Sequence, residues 1–329
     1  MVSIVAIGYN NKRFFPAFFE SVSKLTGAEY ELLYIDNASA DDSVEYIRQN
    51  NPNVRIIVND DNRGYSGAAD QGVKETTGEY VMIVNPDIVF EPDYLSILVR
   101  KLEEDKKIGA IIGKLRRYDF EKNEKMRVID SAGLVMHRNR RCVDRGQAEE
   151  DKGQYDTAEE VFGITGACPL YRRSALDEAK IGENYFEPDF FMYKEDIDIS
   201  WRLRLMGWSC WYEPSAVAYH GRGTGIFDRA GSLQVAKFRS KLPRFTKHHS
   251  YRNERIMRLR NEFFSMVIRD SLPILSREVL MFGWMMIREP YLFKSFAQVM
   301  ARLPETLRKR SELMARRKIG PDEIRRWFV

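Results

Sequence analysis

Cysteine is scarce: Cys142, Cys168 and Cys210 are the three in 329 residues, and none stands in a Cys-x-x-Cys spacing. An odd, sparse set excludes a disulfide framework and fits a reducing compartment. Long apolar runs are also missing. The most apolar late stretch, Val279 to Ile287, is flanked by Arg277, Glu278, Arg288 and Glu289, whereas a helix needs about 20 apolar residues to cross a bilayer. Met1 leads straight into Val2-Ser3-Ile4-Val5-Ala6-Ile7, so no signal peptide is expected. No Gly-Lys-Ser/Thr follows any glycine-rich loop and no GxGxxG occurs, which sets aside Walker-type and dinucleotide sites. What is present is ordinary for a globular chain, 44% hydrophobic and 30% charged, and wholesale disorder is excluded. The net charge of +4 is unevenly spread: from Phe245 onward 18 Lys+Arg face 9 Asp+Glu, leaving the body mildly acidic. A basic tail points to an anionic surface near it.

The first hundred residues alternate short apolar runs with helical spacing. Val2–Ile7, Tyr30–Ile35, Val54–Val58 and Tyr80–Val84 read as strands; Phe14–Leu25, a helix capped near Ser39–Asp42, and Gly67–Thr76 read as helices between them. Such alternation predicts a mostly parallel α/β sheet covered by helices on both faces. Each strand ends in polar residues: Tyr9-Asn10, Asp36-Asn37, Asn59 to Asn62 and Asn85-Pro86-Asp87. Ligands of such sheets sit beyond the carboxyl ends of the strands. Residues 115–160 read as a hairpin and a surface loop, Val161–Tyr171 as a strand, and Tyr193–Met206 as a helix ending at Gly207. Cys210–Tyr212 and Ala216–Tyr219 read as two short strands.

Four segments carry candidate chemistry. Asp87, in Asn85-Pro86-Asp87, can hold a hard divalent cation that bridges two phosphates, although the same tripeptide also makes a turn. Lys194-Glu195-Asp196-Ile197-Asp198 opens a helix, where acidic residues complement the dipole and where one of them can serve as a general base. His220 precedes Gly221-Arg222-Gly223-Thr224-Gly225, a loop whose amides and Arg222 suit a phosphate, and imidazole suits manganese. Asn62-Arg63-Gly64-Tyr65-Ser66-Gly67 opens a helix whose N-terminus favours an anion. His137, His248 and His249 read as surface residues.

Together these segments resemble glycosyltransferase family 2, with its GT-A fold. Ile4 to Asn10 is similar to the family's opening strand and Tyr-Asn turn, and Tyr34 to Ser39 to its second strand. Asn62-x-Gly64 with Tyr65-Ser66-Gly67 follows in order, with Asp70 where the family usually has Asn. Asn85-Pro86-Asp87 matches the metal-binding DxD position without its first carboxylate. Phe191 to Asp198, then Arg202-Leu203 and Gly207-Trp208, matches the Glu-Asp block. The resemblance covers residues 2–225. It implies Asp196 as base with Glu195 helping to place the acceptor, and Asp87 and His220 as ligands of Mg2+ or Mn2+. It also implies Tyr9, Asn10, Asp36, Asn62, Arg63, Gly67, Asn85, Asp87 and Arg222 around the nucleotide sugar, and Gly166 with Glu195 at the acceptor. The Asn-Pro-Asp form and the His-Gly loop look most like rhamnosyltransferases of bacterial surface polysaccharide assembly, which implies a deoxythymidine-diphosphate rhamnose donor, with a uridine-diphosphate hexose as the alternative. A saccharide or lipid-linked saccharide is the implied acceptor.

Domain organisation is expected as a catalytic part over 1–235, divided near 115 into nucleotide-sugar and acceptor halves, and a basic helical extension over 236–329. Arg252, Arg255, Arg258 and Arg260 share a helix with Ile256, Met257 and Leu259, and aromatic residues crowd 282–293. That mixture suits a helix lying in a membrane surface, and equally a helix packed on the catalytic part or on a second copy of the chain. A cytoplasmic place, peripheral on the membrane, is the expectation. A nucleotidyltransferase is disfavoured because Gly8 to Arg13 lacks a run of glycines. Nucleic acid is not an expected partner, since the basic tail is interleaved with large apolar residues and no binding motif appears.

Overall fold

The computed structural model describes residues 1–221 and 239–329. Four parallel strands form its first half, β1 (Val2–Gly8), β2 (Tyr30–Asp36), β3 (Arg55–Val58) and β4 (Tyr80–Val84), in the order β3-β2-β1-β4. Every residue of β1 and β4 is buried, as unbroken apolar strands in a parallel sheet must be. The crossovers are α1 (Phe15–Ser23), α2 (Ser43–Asn50) and α3 (Gly64–Lys74). Their apolar residues Phe15, Phe18, Ile47, Ala69 and Val73 join one core with the strands.

After β5 (Ile88–Phe90) and α4 (Tyr94–Glu104), the sheet continues with β6 (Ile108–Asp119), which forms a hairpin with β7 (Glu124–Ser131). The charged region expected as hairpin and loop also holds β8 (Leu134–Met136) paired with β9 (Cys142–Asp144). The Val161–Tyr171 expectation is corrected. β10 (Glu159–Val161) and β11 (Leu170–Arg172) are separate strands, and the chain between them leaves the sheet. Gly163 explains why: a Cβ there would lie 2.5 Å from Ser200 Cβ, so the backbone presses directly on the next helix, α6 (Glu195–Leu205), which follows α5 (Arg173–Ala179). The two strands expected between 210 and 219 are one, β12 (Ser209–His220), with a register shift between Glu213 and Val217 around Pro214. The full order is β10-β12-β6-β11-β4-β1-β2-β3.

Helices then follow: α7 (Arg244–Asn261), α8 (Phe264–Arg269), α9 (Ser271–Arg288), α10 (Leu292–Ala301), α11 (Leu303–Arg316) and α12 (Pro321–Arg325). Ile256 and Met257 of α7, Leu313 of α11 and the terminal Phe328 share the core of the sheet. The Arg252–Arg260 cluster, expected either at a membrane surface or packed on the catalytic part or a second copy, is turned inward. Arg255 and Arg258 pair with Glu278, and the buried Arg260 pairs with Glu187 and Asp198. Carboxylates on neighbouring elements draw these guanidinium groups in, a pairing that helical periodicity alone does not register.

Candidate active site

The carboxyl ends of β2 and β3 and the start of α2 open on a cleft of about 470 Å³, lined by Asp36, Ala38, Ser39, Val58 and Asn59 among others. Asp36 is buried and accepts the Ser39 N–H at 2.9 Å. Asn10 sits at φ 55°, where its Oδ1 accepts the Ala40 N–H at 2.8 Å and its own N–H reaches Ser39 Oγ at 2.9 Å. Two strand ends are thus tied together, while the Tyr9 side chain stands half-exposed beside them. Asn62 accepts the Gly64 N–H at 2.8 Å, so its side chain shapes the turn into α3. Arg63 is exposed, 3.7 Å from Asp61. Gly67 lies in the first turns of α3, where a Cβ would meet Arg63 Cβ at 3.1 Å.

Gly64 has φ +69°, and a Cβ there would lie 2.2 Å from Phe191 O, so only glycine lets this loop approach the acidic segment. Tyr65 then donates from its hydroxyl to Gly166 O at 2.5 Å, and Gly166 N–H donates to Asp196 Oδ2 at 3.3 Å. Gly166, on the segment that leaves the sheet, therefore joins the Tyr65 loop to the acid pair. Asp70, the departure from the family pattern, accepts the N–H groups of Tyr185 and Phe186 and pairs with Lys74 at 2.7 Å.

Glu195 and Asp196 open α6, half-buried in their side chains. Both carboxyls are pushed up. Burial is the leading cause for each; Asp196 adds to it for Glu195, and Asp144 of β9 for Asp196. Glu195 Oε2 is buried and without a hydrogen-bond partner. Such an orphaned acceptor suits a protonated carboxyl or an incoming hydroxyl. Asp198 points the other way, fully buried against Arg202 at 2.9 Å and Arg260 at 2.7 Å. Burial opposes its charge, but the two guanidinium groups outweigh it and hold its carboxyl below the usual range.

Asn85 caps the end of β4, its N–H donating to Ala167 O at 3.0 Å beside Gly166. Pairing of β5 with β12 sets His220 opposite Ile88, which brings His220 Nε2 to 3.4 Å from Asp87 Oδ1. The other ring nitrogen, Nδ1, lies 2.7 Å from Asp130 Oδ2 of β7. Burial works to lower the His220 pKa, yet the Asp87 and Asp130 carboxylates outweigh it and raise it to about 10. Among the described residues no cluster of three metal-ligating side chains stands ready. With the Nε2 proton displaced, the pair fits a divalent ion: one carboxylate oxygen and one imidazole nitrogen converge, and Asp130 orients the ring from behind as outer partners of metal-bound histidines do. Phosphate oxygens of a ligand complete such a site. Arg222 lies outside the described residues.

Asp130 and Asp144 escaped the sequence reading because each sits in a charged hairpin with no motif around it. So did Asn253 of α7, which binds the loop before α6, and the part that Arg252, read only as one of a basic cluster, takes beside it. His248 and His249, read as surface residues, are half-buried, bonded to Ser295 and Arg252.

Residues 3–179 match the family model described as "Glycosyl transferase family 2". A poly-beta-1,6-N-acetyl-D-glucosamine synthase of Staphylococcus epidermidis is 27% identical over 221 residues, 66% of this chain and 49% of that protein. The chain thus spans about half the length of the curated relatives it matches. Among solved structures, S. aureus TarS 1-349 in complex with UDP-GlcNAc superposes with a TM-score of 0.57 at 14% identity, covering 99% of this chain and 92% of that one. GalNAc-T7 with UDP, GalNAc and Mn2+ gives 0.54 at 15%, covering 90% and 58%. At these identities the likeness concerns the fold, a GT-A-like curled, mostly parallel sheet flanked by helices. With the family model matching more than half its length, the chain belongs to glycosyl transferase family 2.

Proposed function

We propose that the chain is an inverting glycosyltransferase that passes a sugar from a nucleotide diphosphate to an acceptor hydroxyl. The observation that supports this reading is the chain of contacts from Asp196 through Gly166 and Ala167 to Asn85, next to the Asp87–His220 pair, which links the proposed base to the proposed diphosphate site. Asp196 takes the proton of the acceptor hydroxyl as its oxygen bonds to the anomeric carbon from one face. The bond to the diphosphate oxygen breaks on the other, and the nucleotide diphosphate leaves with the electron pair. A carboxyl raised toward neutral pH by its surroundings is a stronger base for this transfer. Asp87 and His220 would hold a divalent cation, which when bound would supply positive charge against the diphosphate. Glu195, with its unpartnered oxygen, positions the acceptor beside Gly166. Asp36 in the cleft, together with Tyr9, Asn10, Asn62, Arg63, Gly67 and Asn85, is read as the nucleotide-sugar side.

The donor we propose is a uridine-diphosphate N-acetylhexosamine, supported by the names of the relatives above. Deoxythymidine-diphosphate rhamnose is the second reading, favoured by the Asn-Pro-Asp form at residues 85–87. Asp196→Asn tests the base assignment: transfer is abolished while donor binding persists. Turnover retained in that variant would falsify the assignment.

The partner of the outer helices is proposed to be an anionic membrane surface, where a lipid-linked acceptor is met. Leu272, Leu275, Val279, Leu280, Phe282, Met286 and Ile287 stand out from one side of α9, with exposures of 57–79%. Asp270, Glu278 and Glu289 are engaged by arginines and a lysine inside the protein. Arg288 at the end of α9 and Lys294 in α10 are exposed as well, and positive charge there suits anionic lipid. No described helix is long and apolar enough to cross a membrane, so α9 would lie in the surface.

A further inference from the structure

We infer that α7 is a working part of the active site, with Asn253 and Arg252 acting as positioning residues for the acid pair. The inference rests on the glycosyl-transfer reading for its kinetic consequence, though not for its geometry.

The segment before α6 is built against its own preferences. Phe191 has φ 63° and ψ −64°, with the Met192 N–H closing a three-residue turn onto Phe190 O at 2.7 Å. Tyr193 and Lys194 follow at φ 73° and 76°. None of the three is glycine, and side chains in this region persist only where the surroundings hold them. This strained run aims the first turn of α6, and with it Glu195 and Asp196.

The surroundings that hold it belong to α7. Fully buried Asn253 donates from one amide nitrogen to three carbonyls, those of Phe190 at 2.9 Å, Met192 at 3.0 Å and Tyr193 at 2.9 Å. Arg252 donates to Asp189 O at 2.5 Å and Phe190 O at 3.3 Å. The Arg252 Nε–H also donates to Asn253 Oδ1 at 3.0 Å, which fixes the amide with its nitrogen toward the loop. Phe191 O, the remaining carbonyl of the strained run, accepts the Ser66 N–H at 2.9 Å. Every carbonyl from Asp189 to Tyr193 thus has a donor, and four of the five are served by two adjacent residues of α7. An amide is the side chain this needs. It brings two N–H groups without a charge, so one is shared between two carbonyls.

The experiment compares wild type, Asn253→Ala, the isosteric Asn253→Asp, and, as a control on the same helix, Arg255→Ala, whose guanidinium bonds Glu278 and Tyr251 O and not the loop carbonyls. Hydrogen exchange over residues 188–196 is measured alongside transfer kinetics and melting temperature. The inference predicts faster exchange in that loop for both Asn253 variants. It also predicts that kcat falls roughly 10- to 100-fold, the scale of a misplaced catalytic group, with donor KM changed less than about threefold. Arg255→Ala is predicted to match wild type in both. Loop exchange and kcat unchanged in folded Asn253→Asp would overturn the inference, as would equal losses in all three variants, which mark general destabilisation. If wild type transfers no sugar, the functional reading fails instead, and the exchange measurement still decides whether α7 holds the loop. Should Asn253→Ala fail to fold, Asn253→Asp and Arg252→Lys carry the same comparison.

Discussion

His220 shows how one side chain is set by two others. Asp130 Oδ2 accepts from the Nδ1–H at 2.7 Å, which leaves Nε2 facing Asp87. With Asp130→Asn the negative charge behind the ring is lost and the imidazole becomes a weaker ligand. Metal affinity is predicted to fall by roughly 10- to 100-fold, read as the manganese concentration for half-maximal transfer; an unchanged requirement contradicts the proposed site. Glu195 and Asp196 give a second prediction, on stability. Their carboxyls are raised in the folded chain by burial and by carboxylate neighbours. The folded state therefore binds protons more tightly than the unfolded one, whose Glu value is 4.5. The stabilising contribution is fully present below that value and is lost as pH rises through the raised folded values. Glu195→Gln removes one of the two charges, so its melting temperature should decline less than that of wild type from pH 5 upward. Parallel curves would contradict the assignment of the pair as mutually strained. Asp87, Asp196 and His220 were legible as motif positions; Asp130, Asp144 and Asn253 were not, since their roles arise from pairing across strands and helices far apart in sequence.

At the scale of elements, β1 and β4 were readable because buried parallel strands are continuous apolar runs ending in polar turns, and the half-exposed β2 and β3 because they end in the same kind of turn. The segment 161–171 was misread for a related reason. Its apolar residues are buried, but Gly163 and Gly166 take them against α6 and Tyr65 instead of along a neighbouring strand. Between the two readings of the α7 arginines the sequence could not choose, since their carboxylate partners lie on α6, α9 and the loop before α6. Element α9 carries the surface prediction. Leu275→Glu with Val279→Glu alters exposed positions, so stability should change by no more than about 0.5 kcal/mol per site. Flotation with vesicles of phosphatidylcholine and phosphatidylglycerol should be lost, while wild type floats in a salt-sensitive way. Wild type that ignores such vesicles, or forms a dimer dissolved by the same substitutions, contradicts a membrane partner.

Across the whole molecule, one core runs from the parallel strands to the last residues. Phe328 packs edge-on against Trp201 of α6 at 5.3 Å between ring centroids, and Arg140 is held by Glu262 and Asp270 after α7. The helices that follow the sheet brace the acid pair from behind while α9 faces outward. The central claim is that this arrangement binds a nucleotide sugar with a divalent ion. Thermal unfolding against uridine- and deoxythymidine-diphosphate sugars, with and without manganese, tests it most directly. A ligand at a hundredfold excess over its Kd stabilises by about 2.7 kcal/mol, a rise of several degrees. The account predicts a manganese-dependent rise with uridine-diphosphate N-acetylglucosamine; a rise with the deoxythymidine compound alone would move the donor to rhamnose, and no rise with any nucleotide sugar would contradict the claim itself.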